Sequence, residues 1–67
     1  MIYRTETTPK GARHLEISID DRAERVYFDV ILAIYGTYEK SGIYKKWSYA
    51  TLKTANKKFN SLEDLVK

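Results

Sequence analysis

The sequence predicts a small α+β domain, an antiparallel β-meander of about three strands with a short C-terminal helix packed on one face. Apolar and polar residues alternate along residues 12–19 and again along residues 25–36, which is the period of a half-buried strand. Residues 61–64, Ser-Leu-Glu-Asp, match the capping-box pattern of a helix start. At 67 residues the chain is short enough for one domain, which we take to span residues 1–67.

Composition limits what can stabilise this domain. A chain this short buries only about 60% of its unfolded surface, so its core is thin. The sequence has no cysteine and a single histidine, His14, which excludes disulfides, thiolate metal sites and multi-histidine metal sites. We therefore expect no metal or other cofactor, and self-association is the obvious additional support.

The N-terminal half predicts an edge segment followed by a hairpin. Residues 1–11 contain Thr-Thr-Pro-Lys-Gly and are expected to be mobile or paired only at a sheet edge. In residues 12–19, Leu15, Ile17 and Ile19 share one face, and His14 lies on the polar face. The polar residues 20–24 then form the turn of the first hairpin.

Residues 21–35 fit two conformations. As a strand they place a single apolar set on one face: Val26, Phe28, Val30, Leu32 and Ile34. As a helix they would be capped by Asp20 or Asp21 and closed by Gly36. The segment is rich in β-branched and aromatic residues, and this composition favours the strand.

The C-terminal half predicts one more strand and the helix. Residues 37–42 form a turn in which Gly42 supplies the positive φ of a G1 bulge. Residues 43–54 are strand formers, and residues 55–58 form a polar bend. Ser61 then caps a helix of barely two turns, with Phe59 packed against its entry.

The register of the second hairpin decides which surface is exposed. A Lys40–Gly42 turn places Val30 opposite Leu52, Leu32 opposite Ala50 and Asp29 opposite Lys53. Trp47 and Tyr49 then lie on the face away from the core. A shift of one residue moves both into the core instead; we favour the first register because Gly42 suits the bulge.

The residues do not indicate an enzyme. The three glycines are scattered at turns, one histidine lacks a partner for acid–base chemistry, and a chain this short offers little concave space. No run of apolar residues reaches the roughly 18 needed to span a membrane, and the N-terminus is polar. We therefore expect a non-enzymatic, cytoplasmic protein that does not enter the membrane.

Lysines interleaved with aromatic residues suggest a binding surface. Residues 40–58 contain six lysines and no acid. Aromatic faces stack on bases and nearby cations contact phosphates in proteins that bind single-stranded nucleic acid. The candidate residues for such a basic and aromatic sheet face are Tyr35, Lys45, Lys46, Trp47, Tyr49 and Lys53.

The alternative is a protein-interaction module, either a homodimer or a small adaptor or inhibitor of another protein. Apolar residues occur on both faces of the central strand: Tyr27, Ile31, Ala33 and Tyr35 lie opposite the core set. An open edge strand offers a second way to pair with a partner.

Overall fold

Four antiparallel strands and a C-terminal helical segment form the fold. The computed structural model describes residues 2–22 and 24–67. The elements in chain order are β1 (Ile2–Thr8), β2 (Gly11–Asp20), β3 (Arg25–Ile34), β4 (Ile43–Tyr49), α1 (Leu52–Ser61) and α2 (Glu63–Val66). The strands lie side by side in that order, so the predicted α+β meander is confirmed, with four strands rather than about three.

The additional strand is β1, which pairs with β2 at the sheet edge. Thr8 lies opposite Gly11, and Ile2 lies opposite Glu16. Of the two expectations for the N-terminal segment, the edge strand is therefore confirmed for residues 2–8. Met1, and Ala23 in the predicted hairpin turn, lie outside the described residues.

The first hairpin has the expected faces. Leu15 pairs with Val30, and Ile17 pairs with Phe28, so the two alternating apolar sets meet on one side of the sheet. The helical alternative for residues 21–35 is wrong, because residues 25–34 form β3. The β-branched and aromatic side chains there pack well on a pleated surface.

The second hairpin has a different register from the expected one. Val30 lies opposite Trp47 and Leu32 opposite Lys45, rather than opposite Leu52 and Ala50. The connection between β3 and β4 comprises residues 35–42, and no glycine among the described residues has a positive φ. The predicted G1-bulge turn is therefore wrong, and the longer loop moves Trp47 and Tyr49 to the core face.

The helix begins nine residues before the expected Ser61 cap, at Leu52. Thr51 is the actual N-cap: its φ and ψ are −128° and 147°, and its side chain accepts a hydrogen bond from the Thr54 amide at 3.3 Å. The predicted strand of residues 43–54 is confirmed for residues 43–49 and wrong for residues 50–54, and the predicted bend at residues 55–58 is wrong because these residues lie in α1. The apolar residues at helical spacing, which face the sheet, are Leu52, Ala55, Phe59, Leu62 and Val66.

The core lies between the helices and one face of the sheet. Its buried residues are Leu15, Val30, Leu32, Ala55, Phe59, Leu62 and Val66. Arg13 is also buried: one of its amino groups donates to the Phe59 carbonyl at 2.6 Å and the other to Glu6 at 3.0 Å. A cation at the C-terminal end of α1 suits the negative end of the helix dipole, so Arg13 joins the helix to the sheet.

Candidate functional site

The six candidate binding residues do not share one face. Lys45, Trp47 and Tyr49 alternate along β4 on the side that carries the helices. Lys46 is on the opposite, open face of the sheet, and Lys53 is in the first turn of α1. Tyr35 follows the end of β3. The register of β4 therefore places Lys45, Trp47 and Tyr49 on the core face instead of the expected open face, and the start of α1 at Leu52 separates Lys53 from them.

Trp47 is half-buried and forms part of the junction between β4 and α1. It packs against the core, and the Lys58 ammonium lies 4.2 Å from the centre of its ring. A cation over an indole face is an attractive contact, so this ring face is already occupied. Trp47 therefore lies at the bottom of this junction, with Lys58 directly above it.

Three adjoining clefts follow the line where β4 meets the helices. The "lysine cleft", of about 250 Å³, is lined by Tyr49, Thr54, Lys57, Lys58 and Ser61. The "middle cleft", of about 260 Å³, is lined by residues that include Ile34, Ile43, Lys45, Trp47, Lys58 and Leu65. The "loop cleft", of about 380 Å³, is lined by residues that include Lys10, Ile34, Tyr35, Lys40, Ile43 and Leu65.

Adjacent clefts share lining residues. Lys58 lines both the lysine cleft and the middle cleft. Ile34, Ile43 and Leu65 line both the middle cleft and the loop cleft. The groove therefore runs from Tyr49 along β4 to the loop of residues 35–42. We call these three clefts together the groove.

The groove is strongly basic. Its lysines are Lys10, Lys40, Lys45, Lys57 and Lys58, and its described lining contains no aspartate or glutamate. Within residues 2–22 and 24–67, ion pairs join Arg13 to Glu6, Lys46 to Asp29, and Lys67 to Glu63. None of the groove lysines takes part in them, so their positive charge is available to an anion.

Four of the candidate residues line the groove, and four further lysines were not expected there. Tyr35, Lys45, Trp47 and Tyr49 are the four that were predicted. Lys10, Lys40, Lys57 and Lys58 join them from three other parts of the chain. The lack of acids between residues 40 and 58 was the sequence signal for three of them, whereas nothing in the sequence indicated Lys10.

The open face of the sheet carries a separate polar cluster around Asp29. This carboxylate is only 4% exposed and accepts hydrogen bonds from the hydroxyls of Ser18 and Ser48, both at 2.6 Å. The Lys46 ammonium lies 3.7 Å away. Burial by itself raises the pKa of Asp29, but the two serine hydrogen bonds and Lys46 together outweigh burial and hold this pKa below its ordinary value.

We expect this cluster to give the stability a defined pH dependence. A lowered pKa in the folded state means that the charged Asp29 stabilises the fold above the unfolded-state pKa of about 3.9, and that this contribution is lost as the pH falls through the folded-state value. Asp29→Asn should therefore lower the free energy of unfolding by about 1–3 kcal/mol at neutral pH. The difference from wild type should shrink in urea titrations at acidic pH.

The control for this variant is Asp21→Asn, an exposed substitution in the turn between β2 and β3. It should leave the free energy of unfolding within about 0.5 kcal/mol of wild type. A destabilisation by Asp29→Asn that grows on acidification would contradict the assigned role of the carboxylate.

Other kinds of site find little support in the described part of the chain. No three His, Cys, Asp or Glu side chains there are grouped to hold a metal ion. The His14 imidazole shares a 2.7 Å hydrogen bond with the Thr5 hydroxyl of the neighbouring strand. No helix within residues 2–22 and 24–67 has the length and apolar character of a membrane span.

Comparison with protein-family models, with curated proteins and with solved structures finds no significant match to this chain.

Proposed function

We propose that this protein is a non-enzymatic binding domain and that its groove binds single-stranded nucleic acid. The observation that carries the proposal is the set of five lysines, none of them in a described ion pair, along a groove whose described lining is apolar and aromatic and contains no acid. A phosphate backbone needs a row of cations, and bases need apolar or aromatic surface beside it. The groove offers both along one line.

The residues of the groove divide these roles. Lys57, Lys58 and Lys45 contact successive phosphates in the lysine and middle clefts. Tyr49 and Tyr35, at the two ends of the groove, provide aromatic faces for bases. No base-specific hydrogen-bonding set stands out in the groove, so we expect binding with little sequence preference.

A salt titration tests this proposal. If all five groove lysines contact phosphates, the logarithm of the association constant should fall with the logarithm of salt concentration with a slope of about −3.5, since each contact contributes about −0.7 for single strands. Between about 50 and 200 mM salt, the affinity for an oligothymidylate should then fall about a hundredfold. Fluorescence anisotropy of a labelled strand measures it.

The fluorescence of Trp47, the single tryptophan, provides an independent readout. Phosphates that draw Lys58 away from the ring should change the emission, because the ammonium lies 4.2 Å from the ring centre. The same strand with an uncharged methylphosphonate backbone is the control and should bind far more weakly. The absence of any anisotropy or fluorescence change at low salt would refute the proposal.

The second candidate, a protein-interaction module or homodimer, rests on the tip of the first hairpin. Near this tip, residues 25–27 of β3 lie beyond Phe28, where the pairing of β3 with β4 ends. Ile19 and Val26 pair across this tip and are 69% and 46% exposed. An apolar pair of this kind suits burial by another protein.

The same experiments distinguish the two candidates. No binding of nucleic acid, together with a mass that rises with protein concentration in light scattering, would favour the protein-interaction role.

The open face of the sheet gives the protein-interaction alternative less support than expected, because Ile31 at its centre is only 8% exposed. Its cross-strand neighbours are His14 and Lys46.

A cytoplasmic location belongs to either proposal, since a chain without cysteine suits a reducing compartment.

A further inference from the structure

The loop cleft differs from the rest of the groove in shape and lining. It is the largest of the three clefts, at about 380 Å³, near the lower end of the volumes of small-molecule sites. Its walls are mainly apolar, and they include Ile34, Ile43 and Leu65. The Tyr35 side chain also lines the cleft and is 50% exposed. This is a pocket for one small, flat, largely apolar group.

Backbone contacts hold the loop cleft in shape. The Tyr35 amide donates to the Lys10 carbonyl at 2.9 Å, which joins the loop to the turn between β1 and β2. The Thr37 amide donates to the Lys40 carbonyl at 2.8 Å and closes the loop. A Cβ on Gly42 would lie 2.8 Å from the Ile34 carbonyl oxygen, so the loop's ends approach too closely for any larger residue there. A pocket formed in advance binds at a lower entropic cost.

The charges at the loop cleft favour an anionic ligand. Lys10 and Lys40 line it, and the described ion pairs include neither of them. The hydroxyl-bearing Thr37 and Ser41 lie in the same lining, which contains no carboxylate. An apolar pocket with two cations suits an aromatic ring attached to phosphates.

From this combination we propose that the loop cleft receives one unstacked base of a single strand, with the flanking phosphates held by Lys10 and Lys40. The inference rests on the proposed function, because the loop cleft continues into the middle cleft through Ile34, Ile43 and Leu65. A nucleic-acid strand bound along the groove therefore places one of its bases at the loop cleft. A paired base cannot enter without leaving its stack, so the loop cleft selects single strands over duplexes.

Two strands separate the base from the backbone in a binding experiment. One is an oligomer made only of abasic sugar-phosphate units, and the other carries a single thymine at its centre. For the wild-type protein, anisotropy at low salt should show binding of both strands, with the thymine raising the affinity about tenfold through stacking on Tyr35.

Filling the loop cleft should remove the advantage of the thymine, so that the variant binds the abasic strand and the thymine strand with equal affinity. Ser41→Trp fills it from the exposed loop, and Leu65→Trp fills it from α2, where Leu65 is 54% exposed. Ser61→Trp, a matched change in the lysine cleft, is the control and should keep the tenfold gain. Circular dichroism confirms that each variant is folded.

The outcomes are distinct. Equal binding of the two strands by wild type, or a thymine gain that survives in Ser41→Trp and Leu65→Trp, would overturn the base pocket while leaving the groove as a binding site for the phosphate backbone. Failure of wild type to bind either strand would overturn the proposed function and this inference with it.

Discussion

Replacing Phe59 with alanine is expected to lower the free energy of unfolding by about 3–5 kcal/mol, the usual cost of removing a buried phenyl ring. Phe59 is 2% exposed and lies at the centre of the contact between α1 and the sheet. For a chain of 67 residues the whole stability is about 3–10 kcal/mol. The variant should therefore lose a large part of its stability, which urea titration followed by circular dichroism measures.

The destabilisation should be in the upper part of the range of about 3–5 kcal/mol because the Phe59 ring also contacts two arginine side chains. The guanidinium carbons of Arg4 and Arg13 lie 4.3 and 4.2 Å from the ring centre. Arg13 is buried, with its Nε atom unpaired, so loss of the ring removes a favourable contact from a charge that has little access to water. Truncation of Phe59 thus weakens both the apolar core and the attachment of the helix.

Phe28→Ala is the matched control, since Phe28 is the other phenylalanine and is only half-buried at the margin of the core. It should cost less than Phe59→Ala. Equal or greater destabilisation by Phe28→Ala would show that the centre of the core has been assigned to the wrong residue.

The second large effect concerns the groove. The double variant Lys45→Glu/Lys57→Glu should weaken binding of an oligothymidylate at low salt by at least about tenfold and reduce the salt slope by about 1.4, because two phosphate contacts are lost. Lys45 lines the middle cleft and Lys57 the lysine cleft, and both side chains are exposed. The fold should remain intact, since neither lysine forms a described ion pair.

Lys53→Glu/Arg22→Glu makes the same change in net charge at exposed positions outside the lining of the groove. It should reduce affinity only through the long-range field, with a salt slope close to that of wild type. If both double variants weaken binding equally, net charge rather than the groove carries the interaction. Lys53 is one of the sequence-based candidates, so this control also tests whether it contributes.

Much of the sheet could be predicted because its signal is local. Leu15 and Ile17 alternate with polar residues, as do Val30 and Leu32, and side chains of a strand point to opposite faces in turn. The pairing of β2 with β3 follows from this pattern and a short polar turn. The start of α1 was not predicted, although Leu52, Ala55 and Phe59 have helical spacing. Residues 43–54 are rich in strand formers, and the strand was therefore predicted to continue through residue 54.

The position of β4 could not be predicted from local pattern. Its side chains do not alternate strictly between apolar and polar, and its register depends on the geometry of the loop at residues 35–42. A connection longer than the assumed turn moved Trp47 from the expected open face to the core face. Lys45 and Tyr49 moved with Trp47 to the core face, and Lys46 came to lie beside Asp29 on the open face.

The amino-acid order alone therefore specified the α+β class, the faces of β2 and β3, and the basic, acid-free character of residues 40–58, because each follows from neighbours in the chain. The groove is a tertiary property. Lys10, Lys40 and Lys58 come from a turn, a loop and a helix far apart in sequence. The packing of α1 against β4, and the hydrogen bond that joins the loop of residues 35–42 to the turn between β1 and β2, bring them to one side of the molecule. Contacts between distant segments depend on register and loop closure, which local residue patterns do not encode.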